Sequence, residues 1–114
     1  MMKYVLLAYR NETRWEAMSA SERATFEAAC RASEQDLIRS LHLIDVQRLQ
    51  SNTALTVRIV DGIPSLSDGP VSGGQQQLIQ LLFIQTRDLN AAIQIALQMP
   101  HARAGAIEVR PIVK

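Results

Sequence analysis

Residues 78–86, LIQLLFIQT, carry large apolar side chains at both parities of an extended segment. Successive side chains of a strand point to opposite faces, so a run of this kind needs cover on both sides. It is expected to be a central strand. Its neighbours must come from a chain of 114 residues, a length suited to one domain that buries roughly two-thirds of the surface its unfolded form exposes.

Residues 3–9 form a second compact apolar run and read as a buried strand, broken by residues 11–14. Thr13 and Glu16 have capping-box spacing, as do Ser19 and Glu22. A short helical turn near Trp15 and a long helix over about residues 20–41 are therefore expected. Along that helix Phe26, Cys30, Leu37, Ile38 and Leu41 share a stripe with Ala29 beside it, while Glu27, Glu34, Gln35 and Arg39 point elsewhere. In residues 42–50, Ile44 and Val46 alternate with Asp45 and Gln47, the period of a half-buried strand. Ser51-Asn52 then turns the chain.

Two alternating segments within residues 53–74 surround Asp61-Gly62, a dipeptide that tolerates positive φ and so favours a tight hairpin. Leu55, Val57 and Ile59 take one face, with Thr56, Arg58 and Val60 on the other. Pro64 confines the return strand to a sheet edge, and the segment runs into an Asp68-Gly69-Pro70 loop. After the central strand, residues 88–99 form a helix with Leu89, Ala92, Ile93, Ala96 and Leu97 on its apolar stripe. Pro100 ends it, and residues 106–113 close the sheet.

The order β-α-β, hairpin, β-α-β is that of an α+β, ferredoxin-like antiparallel sheet with two helices on one face and an added hairpin. The other face of such a sheet carries half of the apolar side chains of residues 78–86. An apolar patch of that kind marks an interface, so a homodimer packed sheet to sheet is expected.

A net charge of +1, without a clustered Lys/Arg face, argues against nucleic acid as a partner. No apolar run approaches the length of a membrane span. The lone cysteine, Cys30, allows no internal disulfide, and a cytoplasmic location is the default expectation. Cys30 lies among apolar helix positions, where a buried, inert thiol is expected. His42, His101 and Cys30 lack metal-ligand spacing, so neither a metal nor any other cofactor is expected. The absence of a Gly-Lys-Ser/Thr sequence excludes a nucleotide P-loop.

The opening Met2-Lys3-Tyr4-Val5-Leu6-Leu7-Ala8-Tyr9, Trp15, Asp61-Gly62, the Asp68-Gly69-Pro70 loop and the closing Ile107-Glu108-Val109-Arg110-Pro111-Ile112 together resemble the YCII-related, DGPF-domain family. The resemblance spans nearly the whole chain. It implies a dimeric α/β-barrel in which two ferredoxin-like sheets close on each other. Family members mostly have no established activity; some are associated with extracytoplasmic-function sigma factors, and a related branch includes a chloromuconolactone dehalogenase. The chain departs from the family pattern after its Asp-Gly-Pro loop, where Gly73, Gln75 and Gln76 replace charged residues. It also has Leu41 where the family's helix ends in glycine.

Among residues able to carry chemistry, Asp68 combines a turn-forming role with a fixed carboxylate. His42 sits at a helix-to-strand junction, where it complements the helix dipole or serves as a base. Tyr9, Arg10, Arg58, Gly69 and Pro70 are the expected ligand-binding residues around the Asp68 loop. His101 follows Pro100 and is expected to be solvent-exposed. The reading that results is a small dimeric protein binding a small molecule in a cleft near that loop. The alternatives are a lyase or isomerase acting on a small acidic or lactone substrate, with Asp68 or His42 as catalytic base, and an interaction partner of a sigma factor.

Overall fold

The computed structural model describes residues 1–50, 53–74 and 76–113. The 78–86 run lies in β5 (Gln76–Thr86), which is hydrogen-bonded on both sides within a four-stranded antiparallel sheet. β1 (Met2–Asn11) pairs with it on one side and β2 (Leu43–Arg48) on the other. β6 (Gly105–Pro111) completes the sheet beside β1, giving the order β2-β5-β1-β6. With its mixture of helices and antiparallel strands, this order is compatible with a ferredoxin-like arrangement.

Alternation along the two middle strands separates the faces. Tyr4, Leu6 and Ala8 of β1 and Leu82 and Ile84 of β5 are completely buried, and with Leu37, Ala92 and Met99 they form the core under the helices. On the opposite parity Val5, Leu7, Leu81 and Phe83 are half-buried.

α1 (Glu12–Ala17) is capped by Asn11, whose side chain accepts the Arg14 N–H at 3.0 Å, rather than by Thr13 as its spacing suggested. α2 (Ala20–Arg39) begins with the expected capping box: Ser19 Oγ accepts the Glu22 N–H, and the Glu22 carboxylate accepts the Ser19 N–H. Its buried residues are Cys30, Glu34 and Leu37. Glu34 therefore belongs to the inward stripe, contrary to expectation, and Ile38 and Leu41 are exposed instead. Positions 30, 34 and 37 are one turn apart, and the carboxylate goes inward because it finds partners there.

α2 ends in a Schellman motif. The Leu41 N–H reaches the Ile38 carbonyl and the His42 N–H reaches the Leu37 carbonyl, both at 3.0 Å, with Leu41 at φ 63°.

Residues 51 and 52, where a turn is expected, lie outside the described residues, as does Gln75. β3 (Leu55–Val60) and β4 (Ile63–Asp68) form a separate two-stranded sheet, with φ positive at both Asp61 and Gly62, as the dipeptide predicted. The radius of gyration, 15.9 Å, exceeds the roughly 13 Å of a compact chain this long. The hairpin accordingly presents Leu55, Val57, Ile59 and Leu66 to solvent.

α3 (Leu89–Gln98) is capped by Asp88 and buries Ala92 and Ala96, with Leu89, Ile93 and Leu97 left exposed. Pro100 ends α3 and also starts α4 (His101–Ala104), its φ of −56° being already helical. α4 packs against β1 and β6. His101 is thereby carried inward and is only 2% exposed, which corrects the expectation of a solvated loop histidine.

Candidate functional site

Four elements, α2, β2, β5 and α4, converge between the sheet and the helices. Arg48, at the end of β2, pairs with Glu34 of α2 at 2.5 Å. The second oxygen of Glu34 accepts a hydrogen bond from Nε2 of Gln80 on β5, and Oε1 of Gln80 lies 2.8 Å from Nε2 of His101. The other ring nitrogen of His101, Nδ1, lies 3.8 Å from Sγ of Cys30. Glu34, Gln80, His101 and Cys30 are all at most 9% exposed.

The direction of the hydrogen bonds is fixed from the Glu34 end. A carboxylate paired with a guanidinium accepts only, so the Gln80 amide must point its nitrogen at Glu34 and its oxygen at His101. His101 must then carry its proton on Nε2, which leaves the lone pair of Nδ1 toward Cys30. Among the described residues, every fully buried side-chain nitrogen and oxygen has a hydrogen-bond partner.

Burial pushes the His101 pKa below 6.5, the Glu34 charge opposes that shift, and Arg48 adds to it. Burial, reinforced by the charges of Glu34 and Glu27, pushes the Cys30 thiol up to about 11. At neutral pH the pair is a thiol beside a neutral imidazole, so the expectation of an unreactive buried thiol fits the resting state.

These groups do not lie in a sealed core. Cys30, Glu34, Gln80 and His101 line a cleft of about 410 Å³ whose rim includes Arg10, Arg31 and Arg48. Trp15 and Phe26 form its aromatic end: their rings meet edge to face at 5.9 Å, and Phe26 meets the His101 ring at 6.0 Å. Arg10 is held there by Glu12 at 2.9 Å and lies 4.2 Å above the indole centroid.

Of the catalytic and ligand-binding residues expected from sequence, Arg10 is the one that lines this cleft. Asp68 is exposed at the end of β4, and neither it nor Gly69 or Pro70 lines the cleft. Gly69 is tied to the hairpin base, donating its N–H to the Ala54 carbonyl and accepting the Thr56 hydroxyl. Arg58 is exposed on β3 and Tyr9 is half-buried at the end of β1. His42 sits after the α2 cap with Nδ1 2.7 Å from the Ser40 hydroxyl.

Among the described residues no group of three or more His, Cys, Asp or Glu side chains is placed to hold a metal ion, and no helix is long and apolar enough to cross a membrane.

The model of the YCII-related domain matches residues 2–114. The chain belongs to the YCII-related family. A curated relative is similar along nearly its whole length: Uncharacterized protein R00369 of Rhizobium meliloti (strain 1021) is 29% identical over 114 residues, covering 97% of this chain and 92% of the relative. Neither the family description nor that relative's name states a function, so the chemistry of this YCII-related chain has to be read from its own side chains.

Proposed function

We propose that this YCII-related protein binds a small organic molecule in the cleft above His101. The observation that carries the reading is the hydrogen-bonded chain Arg48–Glu34–Gln80–His101, in which Glu34, Gln80 and His101 are buried yet line a cleft and exposed Arg48 stands at its rim. A polar network inside a core of Leu82, Ile84 and Tyr4 is stable only when all its members are satisfied, and apolar residues would serve packing alone at least as well. Its placement at a cleft gives the network a use: it holds one ring nitrogen as donor and leaves the other as acceptor.

That same polarity favours proton transfer as a second reading, in keeping with a lyase or isomerase acting on a small acidic or lactone substrate. Nδ1 of His101 takes a proton from a bound carbon or oxygen acid, its ring becomes an imidazolium, and Nε2–H stays donated to Gln80. Glu34 stabilises the resulting charge through the amide.

A thermal-shift screen followed by nitrogen-detected NMR tests both readings, because the chain has only two histidines. A true cleft ligand raises the melting temperature and shifts the His101 ring resonances while leaving those of His42 in place. A stabilising ligand that moves the Asp68 loop and not His101 would refute this location.

The homodimer belongs to the same proposal. Val5, Leu7, Leu81 and Phe83 form an apolar centre on the uncovered sheet face, flanked in register by Asp45, Gln47, Glu108 and Arg110. A second copy, with its own apolar face and hairpin, is the occupant with matching chemistry. Sedimentation at micromolar concentration gives a dimer on this reading; a monomer overturns it.

A further inference from the structure

Beside the cleft over His101, and sharing Arg10, Trp15 and Phe26 with it, lies a second cavity of about 240 Å³. Its remaining walls divide by chemistry: Met18, Pro100 and Ala104 are apolar, whereas Arg14 and Arg103 are cationic. Among the described residues no carboxylate lines it. Arg10 is already committed to Glu12 and to the indole face. Arg14 and Arg103 are exposed and, among the described residues, belong to no ion pair.

Two unneutralised guanidiniums on one small apolar cavity are a local excess of charge in a chain whose net charge is only +1. The guanidinium fork matches the two oxygens of a carboxylate, and it holds a carboxylate more strongly where apolar walls exclude water. A bare inorganic anion would leave the Trp15–Phe26–Met18 wall uncovered. A neutral apolar molecule would leave the charge unanswered.

We propose that this cavity is an acid-binding subsite: Arg14 and Arg103 hold the carboxylate of a small flat organic acid whose ring lies against Trp15, Phe26 and Met18. The rest of the ligand extends past Arg10 into the cleft over His101. The proposal rests on the reading of that cleft as a binding site and adds the class of ligand.

Trp15 is the only tryptophan in the chain and stands at the boundary of the two cavities, so its fluorescence reports occupancy. Benzoate and phenylacetate are titrated against their uncharged amides, benzamide and phenylacetamide. The acids are expected to change the emission saturably, with affinities about tenfold or more above those of the amides. The double substitution Arg14→Gln/Arg103→Gln is expected to weaken acid binding about 10- to 100-fold and amide binding much less. Arg14→Lys/Arg103→Lys retains part of the affinity, and added salt reduces it. Both side chains are exposed, and far-ultraviolet circular dichroism checks that each variant stays folded.

Equal affinity for acid and amide overturns the proposal, as does acid binding that ignores the double substitution, or no saturable response to either acid. A ligand that shifts the His101 resonances yet ignores Arg14 and Arg103 removes the acid subsite while the cleft reading stands. Ligands that move neither Trp15 nor His101 count against both.

Discussion

Oε1 of Gln80 lies 2.8 Å from Nε2 of His101, joining β5, one of the two middle strands of the sheet, to the one-turn helix α4. The contact holds because Gln80 is itself oriented by Glu34, and it selects one of the two neutral tautomers of the ring. A glutamine on the helix-covered face of a strand whose other buried residues include Leu82 and Ile84 is otherwise out of place.

Gln80→Leu is the first test of that arrangement. Leucine fills much of the volume but leaves a Glu34 oxygen and the His101 N–H without a protein partner. Each buried group stranded in this way costs about 1–3 kcal/mol, so the substitution should destabilise the fold by about 2–6 kcal/mol. Urea denaturation at neutral pH measures it. A cost within error of zero would mean that the chain of hydrogen bonds is not formed in solution.

His101 also sets a pH dependence. Its pKa is depressed in the folded protein, chiefly by burial, and returns to about 6.5 on unfolding. Below that value the unfolded chain binds a proton that the folded one resists, so stability must fall as pH drops below about 6.5. Above it the histidine contributes no slope. Melting temperatures between mildly acidic and neutral pH should show this fall, and His101→Gln should flatten it.

Cys30 behaves in the opposite sense. Its thiol is raised from 9.0 to about 11, so the unfolded chain loses its proton first and stability declines as pH rises above about 9. At neutral pH that rise makes the thiolate about 100-fold scarcer than in an unfolded chain. A thiolate of higher pKa is intrinsically more nucleophilic, which offsets part of this, so alkylation by iodoacetamide, followed by mass spectrometry, should be slower in the native protein by about tenfold or more. Rapid native alkylation would point instead to a thiolate–imidazolium pair.

The architecture was legible in sequence wherever one local rule acted alone. The two-sided run in β5 announced a middle strand, Asp61-Gly62 announced the hairpin, and Ser19 with Glu22 announced the start of α2. The site was not legible, because its contacts join residues 71 and 46 positions apart, Cys30 to His101 and Glu34 to Gln80. Two local signals pointed to it. Glu34 shares the helical face of Cys30 and Leu37, but its charge suggested solvent until partners from β2 and β5 came into view. Pro100 reads naturally as the end of one helix, yet its fixed φ equally suits the start of the next, and that second role brings His101 inside.

Leu41 gives a stability prediction independent of the site. It occupies the left-handed position of the α2 Schellman motif at φ 63°, where a side chain carries a steric penalty of about 1–2 kcal/mol. At 75% exposure its side chain contributes little burial in return. Glycine removes the penalty but makes the unfolded chain more flexible, at a cost of about 0.4–1 kcal/mol. Leu41→Gly should therefore stabilise by about 0.5–1 kcal/mol, seen as a higher urea midpoint with an unchanged slope.

Gly105 links the stability of the sheet to the position of the histidine. It opens β6 immediately after α4 and pairs in register with Arg10 of β1. A Cβ added there would lie 2.1 Å from the Tyr9 carbonyl oxygen and 3.0 Å from the Arg10 Cα, both backbone atoms that no rotamer change can move aside. Gly105→Ala must therefore push β6 away from β1, an overpacking that costs about 2–3 kcal/mol. Because α4 is joined directly to β6, the same shift should draw His101 away from Gln80. Urea denaturation reads the first effect, and the His101 ring resonances read the second. A variant that is destabilised with its His101 resonances unmoved would show that α4 is held in place by Pro100 and the core around Met99 rather than by the close approach of Gly105 to β1.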